Sequence, residues 1–123
     1  MKPTLYGIRN CDTVKKARAW LDAHGIEYRF HDYKAEGVDL KLLEAWCGEL
    51  GWESVLNRKG TTFRKLDPEL TRDLQAKSAI ALMLDHPSAI RRPVITGMGA
   101  TLVGFDPAQY ELRALELPGT AAR

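Results

Sequence analysis

Within the first thirty residues the spacing of apolar positions changes twice, and each change marks an element boundary. Thr4-Leu5-Tyr6-Gly7-Ile8 is a short, largely apolar run of the kind that fits a buried strand, closed by Arg9-Asn10. From Asp12 the apolar residues Val14, Ala17, Trp20 and Leu21 fall on one face of a helix, and Gly25 provides its C-terminal stop. Ile26, Tyr28 and Phe30 then alternate with Glu27, Arg29 and His31, the period of a half-buried strand. The opening unit therefore reads βαβ, for which parallel strands and a right-handed crossover are expected.

The middle third reads as helical. Asp39 is placed to cap a helix that carries Leu40, Leu43, Trp46, Cys47 and Leu50 toward a core and stops at Gly51. Asp67-Pro68 has the form of a cap followed by proline at the first helical position. Helical spacing continues through Ile80, Met83 and Leu84 until His86-Pro87. Pro93-Val94-Ile95-Thr96 and Thr101-Leu102-Val103 flank Gly97-Met98-Gly99-Ala100 and predict a hairpin. Asp106-Pro107 opens a last helix through Tyr110, Leu112 and Leu115. The order βαβ, helical insert, ββα predicts an α/β fold of thioredoxin-like type with a mixed four-stranded sheet. One domain over residues 1–117, with its insertion at about 38–90 and a flexible tail at 118–123, follows from this reading.

Composition narrows the function classes. The 123 residues, 45% hydrophobic and 28% charged, suit one soluble domain, and the net charge of +2 is too small to indicate a nucleic-acid partner. The stretch containing Arg58, Lys59, Arg64 and Lys65 has only Phe63 interleaved, which is weak support for base stacking. Residues 1–10 lack the apolar segment of a signal peptide, and no apolar run approaches the roughly 20 residues of a membrane span. A cytoplasmic protein without a membrane partner is expected. Two cysteines and three scattered histidines give no metal-ligand spacing, so no metal is expected.

The chemistry then rests on a thiol. Cys11 lies where the first strand turns into the first helix, so its sulfur meets unpaired N–H groups and the positive end of the helix dipole. Both favour the thiolate. Lys15 and Lys16 add positive potential, and Asp12 opposes it. A lone cysteine is often an inert buried side chain, and Cys47, within an apolar helical stripe, is read that way. Position 14 is valine, so Cys11 has no C-x-x-C partner to resolve a mixed disulfide, and its reductant must come from outside.

Three separated segments carry a resemblance. Tyr6-Gly7-Ile8-Arg9-Asn10-Cys11-Asp12-Thr13 with Lys15, then Leu56-Asn57-Arg58-Lys59-Gly60, then Ile90-Arg91-Arg92-Pro93-Val94-Ile95 together resemble the signatures of the arsenate reductase (ArsC) family, nearest its YffB branch. The resemblance implies a catalytic Cys11 supported by Asp12, Thr13 and Lys15. It makes Arg58 and Arg92 the holders of an oxyanion, a task that suits the forked, permanently charged guanidinium. It implies a cis peptide before Pro93, no bound cofactor, and glutathione as co-substrate of a monomeric enzyme acting on a small oxyanion or a disulfide. Gly104 stands where arsenate-reducing members carry a third arginine, a role that Arg9, Arg64 or Arg91 would have to fill. The Spx branch of the same family offers a non-catalytic alternative, a regulator that contacts RNA polymerase.

Overall fold

A computed structural model of the chain describes residues 2–115, so the tail expected at 118–123 lies outside the described residues. In chain order the elements are β1 (Thr4–Gly7), α1 (Asp12–Ala23), β2 (Arg29–Asp32), α2 (Tyr33–Glu36), α3 (Leu40–Leu50), α4 (Trp52–Val55), α5 (Thr61–Arg64), α6 (Pro68–Thr71), α7 (Ala76–Asp85), β3 (Val94–Thr96), β4 (Leu102–Val103) and α8 (Pro107–Ala114). They fall into two units, one built from the chain up to Glu36 and from Arg92 onward, the other from Gly37–Arg91.

The first unit carries a mixed sheet of four strands in the order β2-β1-β3-β4, as the α/β reading of the sequence anticipates. β1 pairs with β2 in parallel and with β3 antiparallel, and β3 with β4 antiparallel. β2 starts three residues later than the alternation from Ile26 suggests. The N–H of Arg29 donates to the carbonyl of Pro3 at 2.8 Å, and Pro3 has no N–H with which to extend the ladder. Ile26 stays buried but donates its N–H to Leu21 at the end of α1.

One face of this sheet holds the core. Leu5 lies opposite Phe30 on one side and Ile95 on the other, and Ile95 in turn opposite Leu102. Against them pack Val14, Ala17 and Leu21 of α1, together with Ile26, Met98 and Tyr110. Each fully buried aliphatic side chain of this group stabilises the fold by about 1.5–3 kcal/mol relative to exposure. Trp20 and Phe105 meet the Tyr110 ring edge-on, with centroids 5.5 and 4.9 Å away.

Gly7 sets how closely β1 and α1 approach. A Cβ at this position would lie 2.7 Å from Cγ2 of Val14, the third residue of α1. Valine is stiff about χ1 and cannot swing clear, so the first turn of the helix would have to move. Gly7→Ala is therefore expected to destabilise the chain by about 1–3 kcal/mol in a denaturant titration. An unchanged midpoint would show that this contact does not fix the strand-to-helix junction.

The second unit is helical. Asp39 caps α3 as expected, accepting from the N–H of Lys41 at 3.0 Å, and Gly51 ends the helix with φ at 86°. The helix read from Asp67 onward is broken. Asp67 does cap a helix, accepting from Glu69 N–H at 3.0 Å, but α6 lasts one turn and Asp73 takes a positive φ of 54°. α7 starts afresh with a reciprocal cap between Gln75 and Ser78. Its local hydrogen bonds, invisible to apolar periodicity, decide the break. Leu56 and Ile90, both fully buried, form an isolated antiparallel bridge that joins the residue after α4 to the C-terminal end of this unit.

Candidate active site

Cys11 is the residue preceding the first turn of α1, with an extended backbone (φ −139°, ψ 123°). Its carbonyl accepts from Lys15 N–H at 2.9 Å, so the helix begins directly beneath the thiol. The side chain is partly exposed. Burial is the largest single influence on its acidity and pushes the pKa up, yet the combined effect of its neighbours is larger and holds the thiol below its ordinary value. Those neighbours are the N–H of Val14, the Arg92 side chain as hydrogen-bond donor and as positive charge, and the N–H of Thr13. The thiol makes no strict capping hydrogen bond, but these two amides point where a capping oxygen would accept, and a thiolate gains from both.

The sheet register explains why Arg92 is beside Cys11. Tyr6 of β1 pairs with Val94 of β3, so Arg92 and Pro93 precede β3 at the same end of the sheet at which β1 stops and turns toward α1. The Arg92–Pro93 peptide is cis. Pro93 is buried, and its carbonyl accepts from Gly104 N–H at 2.8 Å. The site thus gathers at the C-terminal end of β1, the usual place for ligands in sheets of this kind.

The other residues singled out in the sequence divide into two groups. Asp12, Thr13 and Lys15 follow Cys11 in the first turn with exposed side chains, and only Thr13 acts on the thiol, through its backbone. Arg58 belongs to the second unit, exposed, with its guanidinium 5.5 Å from the Trp52 ring centroid. Gly104 has a φ of 79° and open space where a Cβ would stand. Of the arginines that could replace a missing cation, Arg9 faces Asp32 at 3.7 Å and Phe30 at 5.6 Å, while Arg64 and Arg91 lie in the second unit. Cys47 is a partly buried residue of α3 whose thiol is pushed up by burial, the opposite of Cys11.

Sequence reasoning passed over Tyr33. It is 3% exposed, and its hydroxyl has no hydrogen-bond partner among the described residues. The parallel register of β1 and β2 was the signal available, because it brings the residue after β2 to the end of the sheet that carries Cys11. Among the described residues no group of three or more His, Cys, Asp and Glu side chains could hold a metal ion, and no helix is long and apolar enough to cross a membrane.

Known proteins place this arrangement in context. A solved structure of a YffB protein superposes with a TM-score of 0.88 at 57% identity, covering 91% of this chain and 98% of that one. An arsenate reductase (ArsC) related protein from Brucella melitensis is 54% identical with a TM-score of 0.73, covering 91% and 93%. An uncharacterised protein from Haemophilus influenzae is 41% identical over 108 residues, 88% of this chain and 95% of the relative. The global transcriptional regulator Spx of Enterococcus faecalis is 29% identical over 93% of this chain and 96% of its own length. Residues 6–112 match the ArsC family across every element from β1 to α8, and the chain belongs to that family.

Proposed function

We propose that this chain is a glutathione-dependent thiol–disulfide oxidoreductase of the cytoplasm, with Cys11 as nucleophile. The observation that carries the proposal is the thiol at the start of α1, held below its ordinary pKa by two backbone N–H groups and Arg92. A thiolate at neutral pH is the attacking species in disulfide exchange.

The Cys11 thiolate attacks the glutathione sulfur of a mixed disulfide R–S–S–G. The S–S bond breaks, R–S⁻ leaves and takes a proton from solvent, and Cys11 is left bonded to glutathione. A second glutathione thiolate attacks that adduct, releasing oxidised glutathione and regenerating the Cys11 thiolate. The R–S half of the substrate is reduced to a thiol, and the one glutathione thiol drawn from solution supplies the reducing equivalent, because the other half of the oxidised glutathione enters with the substrate. Val14 stands where a second cysteine would resolve the intermediate internally, which is why the reductant comes from solution. Arg92 holds an anionic group of the incoming thiol or of the leaving group.

Arsenate is the weaker substrate in this reading. Position 104 offers a glycine in the left-handed region rather than a third cation, and each missing charge-assisted hydrogen bond costs about 1.5–3 kcal/mol. Steady-state turnover with glutathione should therefore be readily measured on a small glutathione mixed disulfide and be far lower on arsenate. Turnover of arsenate alone would overturn the substrate assignment, and turnover of neither would overturn the enzyme assignment.

The Spx relatives, global transcriptional regulators by name, support a second reading, a regulatory protein without catalysis, for which the resemblance to that branch implies RNA polymerase as partner. Recovery of polymerase subunits with the purified chain, in the absence of thiol turnover, would favour it.

A further inference from the structure

A buried hydroxyl without a partner costs the resting protein stability, and native structures keep few of them without a reason. Among the described residues the hydroxyls of Tyr33 and Tyr110 are both in this position. Tyr110 sits in the apolar core between Trp20 and Phe105. The surroundings of Tyr33 are different. Gly7 and Asp32 are the last paired residues of β1 and β2, so Tyr33 is the next residue beyond them, at the sheet end that carries Cys11 and the Arg92–Pro93 peptide. Its ring meets His31 edge-on at 6.0 Å, and His31 in turn lies 4.9 Å from Tyr6. The charge of Arg92 reaches the Tyr33 phenol, as it reaches the Cys11 thiol. Burial, the dominant influence, drives the phenol far above its ordinary range, so at neutral pH it remains a proton donor.

We propose that the Tyr33 hydroxyl is a ligand-binding donor of this site, giving its O–H to an anionic oxygen that Arg92 holds beside Cys11. The ligand is a carboxylate of the thiol co-substrate or a tetrahedral oxyanion, the two sources of such an oxygen. This rests on the reading of Cys11 and Arg92 as a substrate site. It accounts for a polar group kept orphaned in the free protein, because its partner arrives with the ligand. Tyr33 is a binding residue here and takes no proton from Cys11.

The test uses two unreactive probes, S-methylglutathione for the carboxylate and inorganic sulfate for the oxyanion, titrated into the full chain and followed by NMR. Binding to the unmodified chain is expected, with the Tyr33 ring resonances among those that shift. The probe that binds identifies the source of the oxygen. Tyr33→Phe should weaken that probe about tenfold, raise KM with little change in kcat, and leave the pH profile of Cys11 alkylation in place. Its melting temperature should stay equal or rise, because the orphaned group is gone. Tyr110→Phe should likewise keep or raise the melting temperature and leave probe binding unchanged. Equal probe affinity in Tyr33→Phe and the unmodified chain, or a Tyr33 ring that does not respond to a bound probe, overturns the role of Tyr33 alone. Failure of both probes to bind the unmodified chain overturns this proposal together with the anion-binding role of Arg92.

Discussion

Cys11→Ser is expected to reduce glutathione-coupled turnover of a mixed disulfide to the uncatalysed background, a loss of at least about a thousandfold. Serine occupies nearly the same volume and leaves the first turn of α1 intact, so the loss would be chemical rather than structural. A hydroxyl ionises far too weakly for the Val14 and Thr13 amides or the Arg92 charge to supply an alkoxide at neutral pH, whereas a thiol already near ionisation responds to them. Serine would also cap the helix better than cysteine, so the variant should be as stable as the parent or slightly more so. Cys47→Ser is the matched comparison. Cys47 is a partly buried thiol made less acidic by its surroundings, and its replacement should leave turnover unchanged. If Cys11→Ser kept most of the activity, or Cys47→Ser abolished it, the assignment of the nucleophile would be wrong.

Arg92→Met should lower kcat/KM for the same substrate by about ten- to a hundredfold, the equivalent of one charge-assisted hydrogen bond. Arg92 acts on Cys11 twice, as a donor and as a charge, so its loss leaves burial opposed only by two backbone amides. The thiol pKa should rise, and less thiolate is then present at neutral pH. Methionine keeps the length of the side chain and much of its packing, which limits the change at the neighbouring Pro93. Arg92→Lys should fall between the two, since a point charge is retained without the planar fork. An Arg92→Met chain with unaltered kinetics and thiol acidity would remove Arg92 from the site.

Much of this could be read from residue order, and the remainder follows from contacts that spacing does not encode. The alternation at Ile26, Tyr28 and Phe30 identified β2, but its starting residue depended on Pro3, a strand away, which ends the ladder at Arg29. The Asp67-Pro68 cap was legible because it is local, and the single turn it starts was not, because Asp73 and the Gln75–Ser78 cap act against a continuous helix. In the site, the position of Cys11 followed from the junction of β1 and α1. The motif drew attention to Arg92, but its action on the thiol depends on the antiparallel pairing of β1 with β3. The lysines expected to add potential at Cys11 do not figure among the influences on it, because exposed ammonium groups are well solvated. Tyr33 carried no motif at all, and only the parallel register of β1 and β2 reveals where it stands.

Activation of Cys11 by the fold can be read from the pH dependence of its alkylation rate in the folded chain and in the chain unfolded by urea. A folded-state pKa below the unfolded one also means that the native chain releases its proton first, so stability rises with pH between the two values. An alkylation inflection at lower pH for folded Cys11 than for the unfolded thiol is expected, with movement of that inflection upward in Arg92→Met. An inflection in the folded chain at or above that of the unfolded thiol would contradict it.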